Sequence, residues 1–314
     1  MRHAIPLGLL AAATLLPVAT GAPAPAGQEA APATAAPLPL VLGEPSSDLV
    51  LPDDTLLDVA YRHRLGFEAV ARLNPGVHVW IPEPGEVVRL PTQYILPDEP
   101  RRGLVVNIPE MRLYDFTLSQ DAPEVFAIAI GDEVDPSLHG EFRIGVKRED
   151  PAWHVPESIR LEKPELPEVV PPGPDNPLGD RWMTIGTTSY GIHGTNNAWS
   201  IGRMATHGCI RLYEDEMRRL YARIPTGTRL RIDYRPVKLG QLGGGIYVEA
   251  HPDLYSREPE AGSQALGRLE ALGLLSSVEV PELERAIREA RGVPVWIGAF
   301  PGAPGGFATS TPAS

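Results

Sequence analysis

The single cysteine of the 314-residue chain, Cys209, lies close to two histidines, His207 and His193. A thiol is a weak nucleophile at its ordinary pKa of about 8.5, and a nearby imidazole can take its proton. If residues 206–212 are extended, His207 and Cys209 lie on the same face of the strand, with Gly208 between them. The pattern predicts a cysteine nucleophile with His193 as its base.

The residues around the cysteine can also stabilise charge. Gly208 lets the backbone approach a substrate closely, and the N–H groups of Gly208 and Cys209 are candidates for an oxyanion hole. Arg211 is a candidate for holding a substrate carboxylate or a nearby backbone carbonyl. Three further side chains of the segment are candidates for lining the pocket: Tyr190, Trp199 and Arg203.

Blander interpretations of the same residues stay open at this point. His193, His207 and Cys209 are all zinc-ligand types, although no fourth ligand stands out and the H-x-C spacing is tighter than in usual structural sites. Cys209 is alternatively an inert buried thiol, the histidines are alternatively structural, and Arg211 alternatively forms an ordinary ion pair.

The elements that must position these residues are mainly strands. Short apolar runs between turn residues predict a β-sandwich-like core, with strands over 104–108, 111–114, 125–130, 142–146 and 229–234. The acidic run 214–216 opens a predicted helix. The Pro-rich stretch 150–180 is too long for an ordinary connection and predicts a functional loop or lid. These elements make up a predicted domain over 101–235.

Smaller regions flank this core. Residues 48–97 predict a strand, two helices and a strand; Asp53 or Asp54 caps the first helix, and Pro75 ends the second near Asn74. Residues 240–300 predict a mixed accessory region with a strand at 246–250 and helices at 266–275 and 282–291.

The termini predict export. Residues 1–21 read as a signal peptide, with a retained membrane anchor as the alternative, followed by an Ala/Pro-rich linker over 22–47. Residues 301–314 are predicted to be a disordered tail. The net charge of −12 and the lack of a basic stripe argue against a nucleic-acid partner.

The segment YGIHGTNNAWSIGRMATHGCIRL, residues 190–212, resembles the signature of the L,D-transpeptidase (YkuD-type) catalytic domain. In that family a histidine precedes a Ser/Thr-His-Gly-Cys motif by a loop of about this length. The lid sequences WHVP and PPGPDNPLG resemble one subgroup, whereas SLHG at 137–140 departs from the usual T-P-x-G. The stretch DDTLLDVAYRHRLGFEAVARLNPGV resembles a LysM module, a type that binds N-acetylglucosamine-containing glycans.

The first resemblance implies roles for the site residues. Cys209 would attack the carbonyl between the third and fourth residues of a peptidoglycan stem tetrapeptide, releasing D-alanine and leaving a thioester. His193 would deprotonate the thiol, with its ring oriented by the Gly194 carbonyl. His207 would support the pocket and, with Gly208 and Cys209, the oxyanion hole. A diaminopimelate amine would then give a 3→3 cross-link, a lipoprotein lysine would give wall anchoring, and water would give carboxypeptidase activity.

The implied partners are peptidoglycan stem peptides and glycan strands, with an outer-membrane lipoprotein as an alternative acceptor. No cofactor or metal is implied, and carbapenems rather than penicillins would acylate the cysteine. The location would be the periplasm or cell wall, with no transmembrane segment after signal removal. The main alternative is a non-catalytic wall protein in which the LysM-like module binds peptidoglycan and the catalytic domain is inactive.

Overall fold

The computed structural model describes residues 38–303. The predicted signal peptide, most of the predicted linker and the tail beyond residue 303 lie outside this range. The helices are α1 (Leu56–Arg62), α2 (Phe67–Leu73), α3 (Glu157–Glu162), α4 (Glu214–Arg223), α5 (Ala261–Ala271) and α6 (Val280–Glu289), with short 3-10 turns at Ala198–Ser200 and Leu275–Ser277.

The strands of the described residues are β1 (Val41–Leu42), β2 (Ser46–Leu49), β3 (Val87–Leu90), β4 (Tyr94–Ile95), β5 (Leu104–Asn107), β6 (Arg112–Asp115), β7 (Glu124–Ala127), β8 (Ile130–Gly131), β9 (Gly140–Glu149), β10 (Trp153–His154), β11 (Val169–Val170), β12 (Arg181–Ile185), β13 (Gly191–His193), β14 (Met204–Thr206), β15 (Ile210–Arg211), β16 (Arg229–Asp233), β17 (Val237–Leu242), β18 (Gly245–Ala250) and β19 (Pro294–Ala299). The prediction of a mainly β fold is confirmed.

One eight-stranded mixed sheet carries the candidate site, in the order β15-β13-β12-β9-β16-β5-β6-β7. The pairs β13–β15 and β16–β5 are parallel, and the other neighbours are antiparallel. Helix α4 packs its buried Met217 and Leu220 against the same core as Ile192 and Ile210. The predicted sandwich arrangement is not confirmed, because these strands form a single hydrogen-bonded sheet.

Two strand predictions need correction. The run 125–130 is divided between β7 and β8, since Ile128 N–H bonds back to Met111 and Ala129 pairs with Arg211 instead of continuing the edge. The run 206–212 is not one strand. It is interrupted between β14 and β15, where Gly208 has a φ of +97°.

The N-terminal small region follows the order β2, α1, α2 and β3, and β2 pairs with β3 antiparallel. Its own core includes Leu56, Val70 and Val88. The N-cap of α1 is Thr55, which forms a capping box with Asp58, so the prediction of Asp53 or Asp54 as the cap was wrong. A Thr side chain satisfies the first-turn N–H groups just as an Asp would.

The C-terminal region contains a three-stranded antiparallel sheet, β17-β18-β19, packed against α5 and α6. Its Lys238 and Glu249 are buried against Glu110 and Arg112 of the large sheet, with Lys238 Nζ 2.9 Å from a Glu110 oxygen and 3.1 Å from a Glu249 oxygen. Two buried cations and two buried carboxylates therefore join the two sheets. Within residues 38–303, no helix has the length and hydropathy needed to cross a bilayer.

Candidate active site

Cys209 lies in the short loop that joins β14 to β15, and it is partly exposed. Thr206 closes this loop: its hydroxyl donates to the Cys209 carbonyl at 2.7 Å and accepts from the Gly208 N–H at 3.1 Å. Gly208 has the left-handed φ of +97°, and its Cα lies against the Tyr190 ring. The loop therefore has one fixed path that presents the thiol.

His193 ends β13, beside the cysteine loop, and is almost fully buried. Its Nδ1 lies 2.7 Å from the Gly194 carbonyl oxygen, and its ring stacks on Trp182 with 5.5 Å between centroids. Because a carbonyl only accepts, we assign the proton to Nδ1, so that Nε2 carries the lone pair. The Leu178 backbone also bonds to the ring and, like Gly194, acts to raise the pKa of His193. The ring is thus held in the tautomer that a general base requires.

The electrostatics of the two groups complement each other. Burial, followed by the positive charge of Arg211, lowers the pKa of His193 to about 3. Burial raises the pKa of the Cys209 thiol, although a backbone hydrogen bond from Gly191 and the charge of Arg211 oppose that shift. The resting pair at neutral pH is therefore a neutral thiol and a neutral imidazole, and the thiol needs a base to react.

Strand pairing fixes the distance between the two elements. In the parallel ladder Ile192 is opposite Ile210 and His193 is opposite Arg211, so the thiol lies beside the start of β13. Among the described residues the thiol is bonded by the Gly191 backbone, and no hydrogen bond joins Sγ to the His193 ring. Catalytic hydrogen bonds are often formed only when substrate is bound, so the missing bond does not exclude proton transfer.

Arg211 directs an unsatisfied cation at the site. Its Nε is buried without a hydrogen-bond partner among the described residues. Its charge acts on both Cys209 and His193, and burial lowers its own pKa. A guanidinium in this state can bind a carboxylate or carbonyl oxygen supplied from outside the chain.

His207 is not placed as the sequence suggested. The backbone is not extended through Gly208, so the condition for a face shared with Cys209 is not met, and the His207 Nε2 lies 3.2 Å from a carboxylate oxygen of Glu162. Glu162 belongs to α3, in the Pro-rich stretch 150–180 that was predicted to be a lid. His207 therefore contacts that stretch, on the outer side of the cysteine loop.

The remaining predicted residues divide between two surroundings. Tyr190 lies against Gly208 beside the thiol, and Gly194 binds the His193 ring. Trp199 instead contacts Tyr61, with 6.3 Å between ring centroids. Arg203 also points away from Cys209 in its contacts: its Cζ lies 4.2 Å from the centroid of the Phe67 ring. Trp199 and Arg203 thus join the segment before β14 to the N-terminal small region.

The backbone N–H groups proposed as an oxyanion hole also differ from each other. The Gly208 N–H is already bonded to the Thr206 hydroxyl. The Cys209 N–H has no hydrogen-bond partner within the part of the chain that the structure describes. Cys209 is therefore the better-placed donor of the two for a developing oxyanion.

Sequence reasoning missed two residues that hold His193 and the loop after it in place. Glu214 accepts from the Thr195 and Asp180 N–H groups, each at 2.9 Å, and Trp182 covers the imidazole face. Glu214 was interpreted only as the acidic start of a helix. Only the fold shows that it faces the loop after His193.

The zinc alternative is not favoured by the geometry. Within residues 38–303, His193, His207 and Cys209 do not bring three ligand atoms together. Two other groups do, one buried and one near the surface. The buried group of Glu110, Glu249 and His251 already contains Lys238 and Arg112 as its cations.

Comparisons with known proteins show the family of the chain. The family model described as the L,D-transpeptidase catalytic domain, YkuD, matches residues 101–237. The probable L,D-transpeptidase ErfK/SrfK of Salmonella typhimurium is 34% identical over 279 residues, covering 84% of this chain and 89% of that protein. The probable L,D-transpeptidase YcfS of Escherichia coli is 35% identical over 226 residues, covering 68% of this chain and 70% of that protein. The chain belongs to the L,D-transpeptidase family.

Proposed function

We propose that the protein is a peptidoglycan L,D-transpeptidase with Cys209 as its nucleophile. The observation that carries the proposal is the pairing of a lone, partly exposed thiol with a buried imidazole whose Nδ1 is bound by the Gly194 carbonyl. The names of the relatives, probable L,D-transpeptidases, supply the reaction class.

In the acylation step, His193 Nε2 takes the thiol proton as Sγ attacks the carbonyl between the third and fourth residues of the stem tetrapeptide. The oxyanion is stabilised by the Cys209 N–H. As the C–N bond breaks, the imidazolium returns the proton to the departing amine of D-alanine. A thioester on Cys209 remains.

The second step reverses the first with a different amine. The acceptor nitrogen attacks the thioester, His193 takes its proton, and the thiolate leaves and is reprotonated. A diaminopimelate side chain gives a 3→3 cross-link, a lipoprotein lysine gives wall anchoring, and water gives a free carboxylate. Arg211, a cation with an unsatisfied Nε, is assigned to a carboxylate of the stem peptide.

We also propose that residues 48–97 are a LysM-like module that binds glycan strands. Two apolar side chains in its loops support this: Trp80 is 54% exposed and Ile81 is 73% exposed. An exposed indole offers the flat apolar face on which sugar rings stack. The module would hold a glycan strand near the catalytic loop, in an exported enzyme of the periplasm or cell wall.

Intact-mass spectrometry after mixing the protein with a carbapenem tests the assignment of the nucleophile. We expect one adduct on the parent chain, none on Cys209→Ala, and little with a penicillin. The acylation rate of a His193→Gln variant should be lower than that of the parent by about 100-fold or more. A folded parent with a reduced thiol and no adduct would refute the proposal.

A second assay addresses the reaction itself. The parent chain is incubated with a disaccharide-tetrapeptide, and released D-alanine and dimeric products are measured by chromatography. Dimers joined through diaminopimelate would establish the transferase, whereas D-alanine release without dimers would establish a carboxypeptidase. Retention of Trp80→Ala on glycan-coated beads, compared with the parent, tests the module separately.

A further inference from the structure

Glu214, the first residue of α4, lies against the loop that follows His193. One of its carboxylate oxygens accepts the Thr195 N–H at 2.9 Å, and the other accepts the Asp180 N–H at 2.9 Å. Thr195 directly follows Gly194, whose carbonyl binds His193 Nδ1. One side chain therefore holds both the loop that fixes the base and the end of the 150–180 stretch.

The contact is close enough to exclude a side chain at Gly194. A Cβ built at Gly194 would overlap the Glu214 carboxylate. The loop thus rests on the carboxyl group itself, and a movement of Glu214 shifts the Gly194 carbonyl with it. Because that carbonyl selects the imidazole tautomer, the position of Glu214 is transmitted to Nε2.

The carboxyl group of Asp180 completes the arrangement. Asp180 Oδ2 accepts from Arg218 Nε at 2.7 Å, whereas Oδ1 is buried without a hydrogen-bond partner in the described residues. Two cations face the pair: Arg218, which also lies 3.8 Å from a Glu214 oxygen, and Arg181, which lies 3.5 Å from Asp180 Oδ1. Because the Asp180 N–H bonds to Glu214, the two acids are neighbours, and each carboxylate charge disfavours the other.

Of the two carboxyl groups, Glu214 is the one that is protonated more readily. Burial, followed by the hydrogen bond with Asp180, raises the pKa of Glu214 to about 7. Burial opposes ionisation of Asp180, but its bonds to Glu214 and Arg218 hold its pKa below the usual value. Below that pH Glu214 is neutral, which removes its repulsion with the ionised Asp180.

We propose that Glu214 is a positioning residue for the base: its carboxyl group fixes the Gly194 carbonyl through the Thr195 N–H and couples it to the end of the 150–180 stretch through the Asp180 N–H. The inference rests on the proposed roles of Cys209 and His193. It adds a group that touches neither substrate nor thiol and acts through the orientation of the imidazole.

The test compares Glu214→Gln and Glu214→Ala with the parent chain. An amide keeps an acceptor for the Thr195 N–H, the bond that holds the loop after His193, but none for the Asp180 N–H, whereas alanine keeps neither. Glu216→Gln is the matched control, because it removes another buried carboxyl group of α4 that has no hydrogen bond to this loop. The readouts are iodoacetamide alkylation of the single thiol, which needs no substrate, and acylation by a carbapenem.

We expect Glu214→Ala to lower both rates about 10-fold or more, while Glu214→Gln and Glu216→Gln stay within about threefold of the parent. Above pH 7 the Glu214 carboxyl group of the parent ionises next to the Asp180 carboxylate, whereas the amide of Glu214→Gln stays neutral. The ratio of the Glu214→Gln rate to the parent rate should therefore rise. Circular dichroism and thermal unfolding check that each variant is folded.

Alkylation of Glu214→Ala at the parent rate, or failure of Glu214→Gln to rescue it, would overturn the inference. If the alanine variant does not fold, the pH profiles decide: parallel profiles for the parent and Glu214→Gln would overturn it. A parent that is alkylated with the expected dependence on Glu214 but never acylated would count against the transpeptidase proposal alone.

Discussion

Replacing Gly208 by alanine tests whether the path of the cysteine loop controls the reactivity of the thiol. Gly208 has a φ of +97°, and an added Cβ would lie 2.5 Å from Cε1 of the Tyr190 ring. Left-handed backbone costs a non-glycine residue about 1–2 kcal/mol, and forcing an extra methyl into a packed site costs about 1–3 kcal/mol. We expect Gly208→Ala to lose about 2–5 kcal/mol of unfolding free energy.

Gly227→Ala separates the two costs. Gly227 has a φ of +88°, but an added Cβ meets nothing within 4 Å. This control should lose only the backbone term of about 1–2 kcal/mol. Both variants are measured by urea unfolding and by the rate of carbapenem acylation at Cys209.

The acylation rates of the two variants should differ as well as their stabilities. A shift of about 1 Å in a reacting group costs about 100-fold in rate, so Gly208→Ala should be acylated about 10- to 100-fold more slowly, and Gly227→Ala at the parent rate. If the two alanine variants had equal stabilities and equal acylation rates, the ring contact and the loop path would have no role in placing the thiol.

Two further substitutions follow from the contacts. Lys238→Met removes one of the two buried cations that Glu110 and Glu249 share with Arg112, and urea unfolding at pH 7 should show a loss of about 3–5 kcal/mol. Burial alone would raise the pKa of Glu249, but Lys238 and its other partners hold it below the usual value. That stabilisation is present above the unfolded pKa of about 4.3 and lost on acidification, so the parent should lose more stability than Lys238→Met between pH 7 and pH 3. Thr206→Val breaks the two bonds that close the cysteine loop, and acylation should slow about 10-fold, whereas Thr206→Ser keeps both bonds and should react at nearly the parent rate.

The sequence predicted those parts of the fold that depend on local pattern. Apolar runs located β5, β6 and β16, and the helix over 214–223 followed from its acidic start and helical spacing. The strand β17 was missed because glycine and lysine interrupt its pattern, although its Lys238 is buried against partners from another sheet. A strand that buries a charge has no alternating signal to read.

The candidate site was predictable only where chemistry and sequence coincide. The Cys209 motif and His193 stand out by residue type, and the ladder between β13 and β15 brings their strands together. The expectation that His207 and Cys209 share a face required an extended backbone, and the left-handed φ of Gly208 interrupts it. Glu214 was missed because its partners are backbone N–H groups, which leave no trace in side-chain types.

The N-terminal small region is fastened to the segment that leads into the cysteine loop, and a substitution can loosen that contact alone. The Phe67 and Glu68 N–H groups, at the start of α2, donate to the carbonyls of Ile201 and Gly202 at 3.2 and 3.3 Å. A Cβ at Gly66 would lie 3.0 Å from the Gly202 Cα, so the two backbones touch.

Gly66→Val should therefore push the small region away from the Gly202 segment, which continues into β14 and the cysteine loop. Gly76→Val is the matched control in the same region, because a Cβ there meets nothing within 4 Å. We expect Gly66→Val to lower carbapenem acylation of Cys209 about 3- to 10-fold and Gly76→Val to leave it unchanged. Equal rates in the two valine variants, with both folded, would mean that this contact only holds the regions together. A selective loss would mean that the small region helps to set the path of the cysteine loop, because its contact with Gly202 lies on the chain segment that β14 extends.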